Sequence, residues 1–155
     1  MNIRRIEPAP KLPCLSEKQI TCRRVAAYAR VSTDSTEQET SLEMQEAHFR
    51  TIIDANPNWE NAGIFSEKAS GLNLKERPMF CALMRKCRKK QVDLILTKSI
   101  SRFARNTLDF LKALRELQSL NIDIYFELEN LWLHEQTIQL AISYMVQWHR
   151  LRMRI

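Results

Sequence analysis

Two short segments combine residue types suited to phosphate chemistry: YARVS, residues 28–32, and SISRFARN, residues 99–106. In the first, Arg30 and Ser32 are two positions apart, so on an extended chain both side chains leave the same face. A hydroxyl beside a guanidinium can meet a phosphate there, the arginine gripping the nonbridging oxygens with its fork of N–H donors. By itself, a serine ending a strand is ordinarily a solvated residue. In the second segment, Arg102 and Arg105 are three apart, which on a helical turn sets them side by side. Fixed cations at one spot favour a pentavalent phosphoryl transition state, whose charge builds on the equatorial oxygens. Each preorganised donor of this kind typically contributes about 3–4 kcal/mol to lowering the barrier. By itself, an RxxR pair is more often a solvated helix face.

The elements around these segments must bring them together. VAAYARV (25–31) is too continuously small and apolar for a half-exposed strand and reads as a buried one. Ser35 or Thr36 can cap a helix running to about Ala55, with Leu42, Gln45, Phe49, Ile52 and Ile53 near helical spacing, and Asn56-Pro57-Asn58 ends it. ENAGIFSE (60–67) reads as a second strand, followed by a polar loop with Gly71. Pro78 opens a helix that turns Phe80, Leu83, Met84 and Cys87 inward. VDLILTK (92–98) is a third strand, LDFLKALRELQSL a helix, IDIYFEL a fourth strand. A last helix over about 135–150 presents Ile138, Ala141, Ile142, Met145 and Trp148 as one stripe. Such alternation predicts an α/β fold: a mostly parallel sheet of about four strands with helices on both faces. Ligands meet such sheets at the carboxyl ends of the strands, so Ser32, Glu67 and Lys98 are expected to gather at one edge.

The chain has 155 residues, which suits one domain, and its 45% hydrophobic and 27% charged residues predict a packed core. A net charge of +6 favours polyanionic partners. No apolar run is long enough to span a membrane, and the charged, proline-rich start lacks the apolar stretch of a secretory signal, so a cytoplasmic, nucleoid-associated protein without membrane contact is expected. Cys14, Cys22, Cys81 and Cys87 lack metal-site spacing, so no metal is expected. The basic run Arg85, Lys86, Arg88, Lys89 and Lys90 can touch a DNA backbone, but a solvated helix end explains it better.

YARVS together with SRFARN resembles the serine recombinase family of resolvases, invertases and large transposon-type recombinases. FSEKASG (65–71), KERP (75–78) and LILTKSISRFARN (94–106) resemble further family segments in the same order, over about residues 24–130. The resemblance implies a resolvase-like fold and a catalytic domain in which Ser32 attacks a phosphodiester of double-stranded DNA. A 5′-phosphoserine bond forms and is later religated, with no cofactor or metal. It further implies that Arg30, Arg77, Arg102 and Arg105 line the phosphate site and that Gln45, Glu67, Ser70, Lys98 and Ser101 support it or touch DNA. The serine has no histidine partner in this pattern, so its activation rests on the arginine field. Ser101 departs from small family members, many of which carry an aspartate considered for proton transfer, and matches the large transposon-type members.

Three regions are expected: a flexible arm over 1–22, the catalytic domain over 23–133, and a truncated oligomerisation helix with a basic tail over 134–155, with no DNA-reading domain present. The active complex is expected to be a homodimer or tetramer. The competing reading is a truncated, noncatalytic remnant that pairs with a full-length recombinase or binds DNA weakly. A small-molecule phosphotransferase is disfavoured by the lack of a GxxxxGK[ST] phosphate loop.

Overall fold

The computed structural model describes residues 22–32, 37–69, 77–104 and 106–133, together with helical backbone at 143, 146, 147, 150 and 151. The expected arm, the caps Ser35 and Thr36, the loop around Gly71 and the stripe of the last helix lie outside the described residues. The elements are β1 (Arg23–Ser32), α1 (Glu37–Ala55), β2 (Trp59–Ala69), α2 (Pro78–Arg88), β3 (Leu94–Thr97), α3 (Ile100–Phe103), α4 (Thr107–Ser119), β4 (Asp123–Phe126) and β5 (Leu131–Leu133). They form one five-stranded sheet in the order β2-β1-β3-β4-β5. The first four strands run parallel, and β5 returns antiparallel to β4. The sequence predicts four strands; the fifth, LWL, is too short to show a period. It follows a turn closed by Asn130 at a positive φ of 47°, a conformation asparagine tolerates better than most residues.

β1 lies inside the sheet and is covered on both sides, which is why its sequence is apolar without alternation. Val25, Ala27 and Ala29 meet Phe49 and Ile53 of α1, with Leu94 and Leu96 of β3. Ala26 and Tyr28 meet the larger core built from α2, α3 and α4 with Ile95, Ile124 and Phe126. Phe103 is the hub of that second core. It is fully buried and makes edge contacts with the rings of Tyr28, Phe80, Phe110 and Phe126 at centroid distances of 6.1, 5.3, 6.5 and 5.9 Å, the geometry that aromatic quadrupoles favour. Cys87 belongs to the same core, where burial above all, then the nearby Glu116, pushes its thiol up to about 12.

The register of β1 against β2 slips between Val25 and Ala26 and skips Ala62. Gly63 takes φ 128° at this bulge, and a Cβ there would come within 3.1 Å of the Phe65 ring. The Lys86 ammonium donates to the Ala62 carbonyl, and Arg88 pairs with Glu116 of α4. Two members of the basic run are thus ties between elements, while Arg85, Lys89 and Lys90 are exposed. No helix among the described residues is long and apolar enough to cross a membrane.

At the amino-terminal edge of the sheet, Arg24 brackets Asp93 with two guanidinium bonds of 2.9 Å, and its own backbone N–H donates to the same carboxylate. The Arg24 hydrogen bond, opposed by partial burial, holds the Asp93 carboxyl below its ordinary value. A lowered folded-state value contributes stability that is present above the unfolded carboxyl's value, near 4, and is lost as pH falls through the folded one. The stability difference between wild type and Asp93→Asn, followed by urea unfolding across the acid range, is therefore expected to shrink below about pH 4. It is modest at neutral pH because the pair is partly exposed. Truncation of the aromatic hub, Phe103→Ala, is expected to cost about 3–5 kcal/mol in the same assay.

Candidate active site

Ser32 is the last residue of β1, in register with Ala69, and Arg30 lies in register with Glu67. α3 closes over this strand end. Its cap, Ser99, is extended at φ −157° and accepts the Arg102 N–H through its hydroxyl at 3.3 Å. Two arginines then cross: Arg30 donates to the Ser101 carbonyl at 3.1 Å, and Arg102 donates to the Arg30 carbonyl at 2.9 Å. The two arginines named from sequence are therefore neighbours beside the strand end that carries Ser32. Ser101 is exposed, with its hydroxyl 3.1 Å from that of Ser99.

α3, which carries Arg102, ends at Phe103, and Ala104 is extended at φ −130°, ψ 150°. Arg105 and Ser70 lie outside the described residues.

Arg77 packs at the level of Tyr28, four residues before Ser32. Its side chain is only 10% exposed. It donates to the Tyr28 hydroxyl at 2.8 Å and to the Phe103 carbonyl, lies 3.5 Å from Glu67 and stacks 4.0 Å above the centre of the Phe80 ring. Glu67, also buried, accepts from the Tyr28 hydroxyl and from the Met79 N–H at 3.2 Å as α2 begins. Burial, only partly offset by the Arg77 charge, pushes the Tyr28 hydroxyl well above the ordinary phenol range, so it remains a donor to Glu67. In this arrangement Nε and Nη2 of Arg77 face internal acceptors.

Lys98 follows β3 and binds Glu127 at 3.3 Å. Glu127 also holds His48 of α1. Partial burial raises the Glu127 carboxyl, but the contacts of His48 and Lys98 outweigh it and hold the group below its ordinary value. Lys98 is therefore turned to the α1 side, and Glu67 to the α2 side with Tyr28. Ser32, Glu67 and Lys98 share the carboxyl edge of the sheet, as expected, but Glu67 and Lys98 are on opposite faces. Gln45 reaches Ser41 at 3.5 Å, and its buried Oε1 has no partner among the described residues.

Sequence reading missed Tyr28 and Glu129. A tyrosine inside a buried strand must find a partner for its hydroxyl, so Tyr28 carried a readable signal. Glu129, which accepts the Ile100 N–H at 3.3 Å, carried none, because its placement depends on the unforeseen β4–β5 turn.

Residues 25–149 match the family described as Resolvase, N terminal domain. The chain belongs to this family. It is a serine recombinase catalytic domain. Its structure is similar to that of a resolvase family site-specific recombinase from Streptococcus pneumoniae, with 25% identity and a TM-score of 0.66 over 85% of this chain and 91% of that one. The same fold recurs in the N-terminal catalytic domain of TP901-1 integrase, at 18% identity and TM-score 0.59 over 85% of this chain and 98% of that one. It recurs again in a serine recombinase from Sulfolobus solfataricus, at 23% identity and TM-score 0.55 over 81% and 82% of the two chains.

In this resolvase-family domain, removing the Arg77 guanidinium leaves the buried Glu67 carboxylate without its cation. Arg77→Ala is expected to lower stability by about 3–5 kcal/mol, read as the shift in urea unfolding. Arg77→Lys, which keeps the charge but loses the fork, is expected to lose less.

Proposed function

We propose that this domain cuts and rejoins double-stranded DNA through Ser32. The observation that supports the reading is the crossed contact between Arg30 and Arg102 beside the end of β1. The crossing takes one nitrogen of each guanidinium, and a guanidinium carries five N–H donors.

In the reaction, Ser32 Oγ gives up its proton and bonds to phosphorus as the bond to the 3′ oxygen breaks. That oxygen takes a proton and leaves as a 3′-hydroxyl, and the 5′-phosphate stays on the serine. Attack by a 3′-hydroxyl reverses the step and restores both the diester and the serine. One phosphoester replaces another, so the exchange needs no energy source such as a nucleotide. Arg30 and Arg102 stabilise the charge on the equatorial oxygens, with Arg105 as a third cation carried over from the family pattern. Fixed cations beside the hydroxyl also favour its deprotonated form. Gln45, Ser70, Lys98 and Ser101 support the phosphate site or the DNA around it, and Arg77 and Glu67 brace it from beneath. The residues after 133 supply the contacts of a dimer or tetramer in the active complex.

The test fuses the chain to a DNA-binding module of known site and offers duplexes whose core between two such sites is randomised. Wild type is expected to form an SDS-resistant protein–DNA adduct that maps to Ser32 by mass spectrometry, and Ser32→Ala none. Arg102→Ala is expected to slow adduct formation by about 100- to 1000-fold. An adduct that persists in Ser32→Ala overturns Ser32 as nucleophile. Cores left uncut by wild type favour the noncatalytic pairing role.

A further inference from the structure

We propose that Glu129 is a positioning residue that holds Arg102 in its working orientation from the far end of α3. The inference rests on the reading of Ser32 and Arg102 given above. α3 has only four residues, and a helix that short cannot hold its own geometry, since one turn fixes many dihedrals for few hydrogen bonds. Its orientation must come from outside. At its carboxyl end it is held by the Arg102 contact to the Arg30 carbonyl and by the Arg77 contact to the Phe103 carbonyl. At its amino end it is held by the turn between β4 and β5.

That turn grips the approach to α3 residue by residue. The Glu127 N–H donates to the Thr97 carbonyl at 3.0 Å, and the Leu128 N–H donates to the Lys98 carbonyl at 2.8 Å. Glu129 then accepts the Ile100 N–H at 3.3 Å through Oε1. Ile100 is 5% exposed, so water is a poor substitute at this first-turn amide, which has no partner within the helix. The second oxygen of Glu129 is buried and without a partner among the described residues. The carboxylate is therefore committed to α3, and losing it leaves a buried N–H unsatisfied. Arg102 sits two residues beyond that N–H, so a slackened first turn displaces its guanidinium.

Two measurements test this, on Glu129→Ala and on Glu129→Gln, whose amide oxygen can still accept the Ile100 N–H. The first is amide hydrogen exchange of the unfused chain. Protection at Ile100, Arg102 and Phe103 is expected to fall in Glu129→Ala relative to amides of β1 and α4, and to return in Glu129→Gln. The second uses the fusion protein and the randomised-core duplexes, and measures the single-turnover rate of the Ser32 adduct. Displacing a catalytic group by about 1 Å costs on the order of a hundredfold, and Glu129→Ala is expected to slow the adduct by about that factor while affinity for the duplex stays level. Glu129→Gln is expected to recover most of the rate. Unchanged protection, or a Glu129→Ala rate within a few-fold of wild type, overturns the proposal. So does a loss in Glu129→Ala that Glu129→Gln does not recover. If Glu129→Ala does not fold, Glu129→Gln decides: normal protection with a rate near wild type supports acceptance of the Ile100 N–H, and a hundredfold loss overturns it. Absence of an adduct from wild type itself overturns the Ser32 reading on which the proposal rests, a result distinct from a wild-type adduct that Glu129→Ala leaves unaltered.

Discussion

The buried guanidinium of Arg77 touches four elements at once: Tyr28 of β1, Glu67 of β2, Phe80 of α2 and the Phe103 carbonyl that ends α3. A charge this enclosed is tolerable only when its counter-charge and hydrogen bonds are all in place. The four elements are therefore tied to one another through a single side chain. The aromatic ring of Phe103 fills the space beside it, so the polar and apolar halves of this core fix the same joint. The position of Arg102 at the strand end follows from that joint, because α3 is too short to set its own direction.

Arginines of β1 and α3 tie elements together at both edges of the sheet. At the amino-terminal edge, Arg23 and Arg24 meet Asp123 and Asp93, which ties β1 to β4 and to the segment entering β3. At the carboxyl edge Arg30 and Arg102 each donate to a backbone carbonyl, and that is the end at which a phosphate is proposed to bind.

Much of this was legible beforehand. The buried run of β1, the helix ending at Asn56-Pro57, and the inward face of α2 follow from hydrophobic period and turn chemistry, which are local. The segments of Arg30 and Arg102 were expected to meet because one closes the first strand and the other follows the third. Three features were not legible, each because it depends on distant contacts. α3 stops at Phe103 because that ring is claimed by the core. β5 exists because a turn returns three residues to pair with β4. Arg77 faces inward because Tyr28 and Glu67, 49 and 10 residues earlier in the chain, wait for it there.

The skipped residue at Ala62 sets the phase of everything that follows it in β2. Before it, Trp59 packs on the α1 side; after it, Ile64 does, so odd-numbered and even-numbered positions exchange faces across the bulge. A strict two-residue alternation counted from Trp59 would place Glu67 under α1, away from Arg77. One extra backbone unit reverses that parity and delivers the carboxylate to the guanidinium. Gly63, the residue whose backbone permits the reversal, therefore governs an ion pair it never touches, and a one-residue change of length here would invert the inner and outer faces of the strand.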